Sequence, residues 1–317
     1  INVPLALAAL ALLLPKMGRI PVYHRLRKVD WLGGVLLMAS AVVFMLVLTW
    51  GGTRYLWLSP TILAMVGAGV ALAIAFVWQA GRAEEPFLPL ALIGGRIVPY
   101  GLITSGCALG SMIGLTVHLP LYYEVVYHLS ASEAGLGLIP LAAISTLGAA
   151  IAGRTMARVK HYKRVAIAGA ILATLAGAAM TLSTPTLWLL LVLLSLFGVG
   201  LGTVFPITVV ALQNAVERSQ VGTITGAMNF FRAMMSSFTV AVFSAILLMA
   251  LGADISLAGE HTGFVGSISA ADMVMAFRYV FAAATLMLGV GAFCMIAMEE
   301  RPLAGPATRP APVEMAE

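Results

Sequence analysis

The chain has 317 residues, of which 61% are hydrophobic and only 10% charged, with a formal net charge of +5. Ordinary soluble domains carry roughly 25% charged residues, and a chain this long with so few could not cover its surface with polar groups, so lipid is the expected solvent. The basic excess falls in short clusters between apolar runs rather than on a face interleaved with aromatics, which argues against nucleic acid as a partner.

The opening apolar run, Leu5–Leu14, is too short to cross about 30 Å of hydrocarbon. It also lacks the flanks of a signal peptide. Residues 1–29 therefore read as the end of a truncated helix followed by a basic loop, with Lys16, Arg19, Arg25, Arg27 and Lys28. Trp31–Trp50 and about 60–80 are long enough to span, and the short turn between them makes residues 30–80 a transmembrane hairpin. Trp31 and Trp50 suit the two aromatic belts. Residues 81–96 carry Arg82, Glu84, Glu85, Pro86 and Pro89, which predicts an interfacial linker that cannot be one helix.

Six further spans are expected at about 97–127, 134–152, 164–182, 186–211, 221–250 and 272–297. Residues 299–317 are rich in Pro and Ala and predict a disordered tail. The expected fold is an all-α polytopic transmembrane bundle of eight complete spans plus one partial span. With alternating loops, of the 18 Lys and Arg only Arg54 falls outside, Arg232 and Arg278 lie within spans, and the rest are inside. That asymmetry places the C-terminus in the cytoplasm.

Chemistry-bearing residues are sparse. Cys107 and Cys294 read as small buried apolar residues, without metal spacing. His24, His118, His128, His161 and His261 are scattered, with no pair at ligand spacing on one helix. No phosphate-cradling loop and no catalytic constellation is found, so neither an enzyme, a metal site nor a cofactor is expected. Arg232 stands out as a base within an apolar span, where ionisable residues mark pathways or snorkel to headgroups. Asn229 lies three residues earlier, on the same helical side, and with Gln213 could line a polar cavity or join helices. Glu124 sits beside Tyr122, Tyr123 and Tyr127, either as a proton-exchanging carboxyl or as a solvated interfacial one. Gly198, Gly200, Gly202 and Pro206 mark a helix suited to close approach or bending.

Several segments, in order, resemble the 14-helix drug:proton antiporters of the major facilitator superfamily. These are Ile1-Asn2-Val3-Pro4, Asp30-Trp31-Leu32-Gly33, the run from Leu119-Pro120 through Glu124 and Ser130 to Pro140-Leu141, the run from Gln213-Asn214 to Phe231-Arg232, and Glu300-Arg301-Pro302-Leu303. The resemblance implies that residues 1–29 end a sixth helix and enter a cytoplasmic loop. It implies that 30–80 is a hairpin inserted between two six-helix halves, and that 97–298 is the C-terminal half. It further implies proton-coupled export of lipophilic, often cationic compounds by alternating access in a plasma (inner) membrane, with the proton gradient as energy source.

The same resemblance names the lipid bilayer, a small lipophilic substrate, protons and a missing N-terminal half of the same chain as partners. Gly153, Arg154, Arg158 and Arg164 resemble the family's gating loop. Met234-Met235-Ser236-Ser237 departs from a glycine-rich patch common after the arginine, and Glu124 stands where many members have Gln. A specific metabolite or siderophore transporter of the same fold, and a non-transporting membrane sensor or scaffold, are alternative readings.

Overall fold

Hydropathy and capping residues together determine where the helices start and stop. A computed structural model describes residues 30–52, 54–83, 95–158, 161–217, 220–251 and 269–300, with Pro4, Leu7, Leu10, Ala11 and Leu14 of the opening segment. The basic stretch 16–28, most of the expected linker and the tail from 301 lie outside the described residues.

The helices are α1 (Trp31–Trp50), α2 (Pro60–Ala80), α3 (Ile97–Tyr127), α4 (Ala131–Leu136), α5 (Ile139–Met156), α6 (Lys163–Leu182), α7 (Leu187–Asn214), α8 (Val221–Ala250) and α9 (Ala270–Ala297). Side chains of Asp30, Ser59, Ser130 and Ser269 accept from the first free N–H groups of α1, α2, α4 and α9, satisfying donors that a helix start leaves unpaired. Among the described residues, eight segments are long and apolar enough to cross a membrane, α4 and α5 together forming one of them. The fold is an all-α, polytopic transmembrane bundle.

The span expected at 134–152 is broken. A turn at Gly137 and Leu138 separates α4 from α5. Pro140 sits in the first turn of α5, where its missing N–H costs nothing but cannot continue the ladder of α4. Tyr123 of α3 is wholly buried against this turn, its hydroxyl donating to the Gly137 carbonyl at 3.1 Å.

In the hairpin, Ser40 Oγ of α1 donates to the Gly69 carbonyl of α2 at 3.0 Å, and Gln79 Nε2 reaches Asp30 Oδ1 at 3.4 Å. At the tip, Gly52 has φ +76°, a conformation open to glycine, and Trp57 covers both Gly51 and Gly52. The hairpin meets the remaining bundle mainly through α1 against α8.

The other helices pack around α7 and α3. α7 is flanked by α5 and α6, and α3 by α8 and α9. With lipid outside, burial of apolar area does not hold helices together, and close backbone approach must. α7 supplies it through glycine. A Cβ at Gly198 would lie 2.6 Å from the Leu141 carbonyl oxygen of α5, Gly202 meets Ser145 on the same helix, and Gly200 meets Gly169 of α6. The four-residue spacing of 198 and 202 aims both at α5, whereas 200 points to the other flank. α3 uses the same device towards α8: Gly106, Gly110 and Gly114 receive Met235, Thr239 and Phe243.

Candidate functional site: the α7–α8 seam and a buried histidine

Arg232 projects from α8 into its seam with α7. Its Nη2 donates to Thr208 Oγ1 at 3.4 Å, and its guanidinium lies 5.6 Å from the Phe205 ring centroid. The Thr208 hydroxyl donates to the Val204 and Phe205 carbonyls, so its lone pairs are what the guanidinium meets. Arg232 Nε is buried without an acceptor. Among the described residues no carboxylate pairs with this charge. A guanidinium cannot shed its proton, and a buried donor left without an acceptor costs about 1–3 kcal/mol. A counter-charge, a polar ligand or water is the physical remedy.

Gln213 and Asn229 flank the same seam. Gln213 Nε2 donates to Thr225 Oγ1 at 3.1 Å, tying α7 to α8. Asn229, one turn before Arg232, is exposed. Ser236 donates back to the Arg232 carbonyl at 2.8 Å, and the exposed side of α8 here carries Asn229, Ala233, Ser237 and Phe238. The Met234-Met235-Ser236-Ser237 segment still packs closely, because the glycines lie on the facing helix: Met235 occupies the space left by Gly106.

The structure does not bring Glu124 and Tyr123 to this seam. They lie 18 residues along α3 from Gly106 and its neighbours, roughly 27 Å at 1.5 Å per residue. Glu124 is half-buried and makes no hydrogen bond among the described residues. Tyr123 is held by Gly137, and Tyr127 donates to the Pro185 carbonyl at 2.6 Å. Gly153 has open space where a Cβ would stand, and Arg154, Arg158 and Arg164 are exposed.

Two arrangements escaped the sequence reading. At the end of the bundle carrying Arg154, Glu300 accepts from the Lys163 backbone N–H at 3.2 Å and lies 3.3 Å from His161 Nδ1. Lys163 Nζ donates to the Ile296 and Met298 carbonyls, capping the final turn of α9, as a cation at a helix C-terminus should. Burial and the Glu300 charge push the Tyr162 hydroxyl, just before α6, above its usual range.

The second is His118, buried in the C-terminal third of α3. Nδ1 lies 2.8 Å from the Gly114 carbonyl and Nε2 lies 3.0 Å from Ser244 Oγ of α8. A carbonyl only accepts, so Nδ1 carries the proton and Nε2 of the neutral ring accepts the Ser244 hydroxyl. The Phe243 ring stands edge-on at 5.9 Å. The available signal was spacing: His118 follows Gly106, Gly110 and Gly114 at intervals of four, on the face turned to α8.

A cavity of about 530 Å³ lies between the tip of the hairpin, α3 and α8, lined by Thr49, Trp57, Ile113, Ser237, Ser244 and Leu248 among others.

Over 258 residues the chain is 33% identical to the efflux pump FUS6 of Gibberella moniliformis, covering 78% of this chain and 45% of that protein. Over 248 residues it is 28% identical to multidrug resistance protein 3 of Bacillus subtilis, covering 78% and 48%. An uncharacterized MFS-type transporter of Mycobacterium tuberculosis is 30% identical over 256 residues, 78% and 36% of the two chains. The chain thus spans less than half the length of these relatives. A crystal structure of a bacterial homolog of the human lysosomal transporter Spinster aligns at TM-score 0.48 and 14% identity, covering 83% of this chain and 64% of that one. The model of the Major Facilitator Superfamily matches residues 3–240, three-quarters of the sequence, and the chain belongs to that superfamily.

Proposed function

We propose that the chain forms one half of a proton-coupled exporter of lipophilic, often cationic compounds, working by alternating access in a plasma (inner) membrane with its C-terminus cytoplasmic. In this reading, residues 97–298 are the C-terminal six-helix half of a 14-helix transporter and residues 30–80 an inserted hairpin. A second half covers the exposed side of α8 that carries Asn229 and Ser237.

The observation that carries the reading is Arg232 on α8. It holds a fixed charge in a membrane span, aimed into a seam and left without a carboxylate among the described residues. Intramembrane charges are retained where they meet a pathway or a partner, and transporters of this type bind near the midplane between repeats. The names of two relatives, an efflux pump and a multidrug resistance protein, support export of small molecules.

The mechanism asks little chemistry of the chain. Arg232 holds a positive potential at the seam, so a cationic substrate is favoured only while that charge is neutralised by a carboxylate. A proton arriving on the carboxylate would unmask Arg232 and expel the cation. The broken α4–α5 span gives the bundle a turn about which helices can shift, and Gly153, in the last turn of α5, has open space beside it. The test is ethidium export by cells carrying the whole gene: Arg232→Ala is expected to abolish export at unchanged membrane abundance. Normal export at normal abundance would remove Arg232 from the mechanism.

A further inference from the structure

We propose that His118 is a proton-binding group and that its protonation reverses the hydrogen-bonding polarity of Ser244 at the wall of the α3–α8 cavity. This deepens the proton-coupled reading by naming a residue of this chain that takes the proton. It does not need Glu124.

Three observations carry it. His118 is 8% exposed, yet both ring nitrogens are engaged in a defined order, Nδ1–H to the Gly114 carbonyl and Nε2 to the Ser244 hydroxyl. A buried imidazole inside a span, with a lone pair on a hydroxyl, is built to exchange one proton without repacking. Second, Ser244 is a lining residue of the cavity, so one hydrogen bond separates the imidazole from that space. Third, the hairpin tip lines the same cavity through Thr49 and Trp57, so a shift of the hairpin against α8 changes how much water reaches Ser244.

The step balances as a two-bond relay. A hydronium in the cavity gives its proton to Ser244 Oγ while Ser244 passes its own hydroxyl proton to His118 Nε2. The hydronium becomes water, Ser244 keeps one proton, and the imidazole becomes an imidazolium. Before the step, the Ser244 proton is committed to His118 and the oxygen presents lone pairs to the cavity. Afterwards Nε2–H donates to Ser244, and the hydroxyl proton turns outward as a donor. A ligand in the cavity therefore meets an acceptor in the neutral state and a donor in the charged state. A wet cavity favours the charged form and a drained one expels the proton.

Other charged and titratable groups lie on the packed elements, and the hairpin tip that lines the cavity adds Arg54 and Tyr55. On α3 the nearest are Tyr122, one turn on, Tyr123 and Glu124; α8 carries Arg232, twelve residues from Ser244; α9 carries Arg278, Tyr279, Asp272 and Cys294; α7 and α1 carry none. Arg232 stands roughly 18 Å from Ser244 along α8 at 1.5 Å per residue.

The test is nitrogen-15 NMR of the histidine-labelled chain in lipid nanodiscs from pH 9 to pH 5, with His118→Gln to assign the signal. The expected result is an Nδ1–H tautomer at high pH and a reversible change to the doubly protonated ring as the pH falls. Ser244→Ala, which removes the acceptor for the new Nε2–H, is expected to lower proton affinity about threefold to tenfold, since bonds to charged donors are the stronger ones. A ring that stays neutral to pH 5, or one that titrates identically in Ser244→Ala, would overturn the proposal. The readout needs no transport: a titrating His118 supports the site even if flux proves independent of pH, a result that would sink only the coupling reading.

Discussion

Gly198→Ala tests whether backbone contact, rather than side-chain burial, holds α5 to α7. The added Cβ would stand 2.6 Å from the Leu141 carbonyl oxygen, and ordinary contact begins at 3.4 Å, so the two helices must part by about 0.8 Å. The obstacle is backbone, which cannot rotate aside as a side chain can. Separation loosens the paired contact four residues on, where Gly202 meets Ser145, and overpacking of this kind costs about 1–3 kcal/mol. Gly226→Ala and Gly289→Ala serve as references, since nothing lies within 4 Å of a Cβ at either position. Both are helical, so alanine there should gain up to about 1 kcal/mol from helix propensity. Thermal unfolding in one detergent, followed by loss of the monodisperse peak, is expected to rank Gly198→Ala below the parent and both references at or above it. Equal stabilities for Gly198→Ala and Gly226→Ala would refute the packing argument.

Other outcomes follow from single contacts. Tyr123→Phe keeps the buried ring and leaves the Gly137 carbonyl without this donor, so stability should fall by about 1 kcal/mol, measured in the same unfolding assay. Gly153→Ala has room for its methyl group within α5 and should leave stability at or above the parent, as at Gly226 and Gly289; a loss of export at that stability would tie the position to gating. Lys163→Met removes the donor to the Ile296 and Met298 carbonyls, and hydrogen exchange should quicken over the last turn of α9 while α3 keeps its protection. Arg232→Lys retains charge but loses the planar donor set reaching Thr208 and Phe205, and export is expected to fall well below the parent at equal abundance.

The spans were legible because hydrophobic length is a strong signal in lipid: α1, α3 and α8 begin and end at the residues that hydropathy and turn chemistry indicate. Gly198, Gly200 and Gly202 also announced close approach, and the structure names their partners as Leu141, Gly169 and Ser145. The break between α4 and α5 was missed, since apolarity runs through Gly137 and Leu138 and only Pro140 marked it. His118 was dismissed for lack of metal spacing. Its partner Ser244 is 126 residues away, and no local pattern points there. The Lys163–Glu300 contact spans 137 residues, and Lys163 looked like one more topology charge. Local periodicity reveals which face a residue occupies; what stands opposite is a matter of tertiary packing. For Arg232 the sequence indicated a charge in a span, and the structure adds Thr208 and Phe205 and the absence, among the described residues, of a carboxylate.

The most direct measurement is ethidium flux in inside-out vesicles from cells carrying the whole gene, energised by an imposed proton gradient. Uptake that builds with the gradient, collapses on adding an uncoupler and disappears in Arg232→Ala is the expected result. Uptake that persists without a gradient, or none at all in vesicles that hold the folded protein, would contradict proton-coupled export.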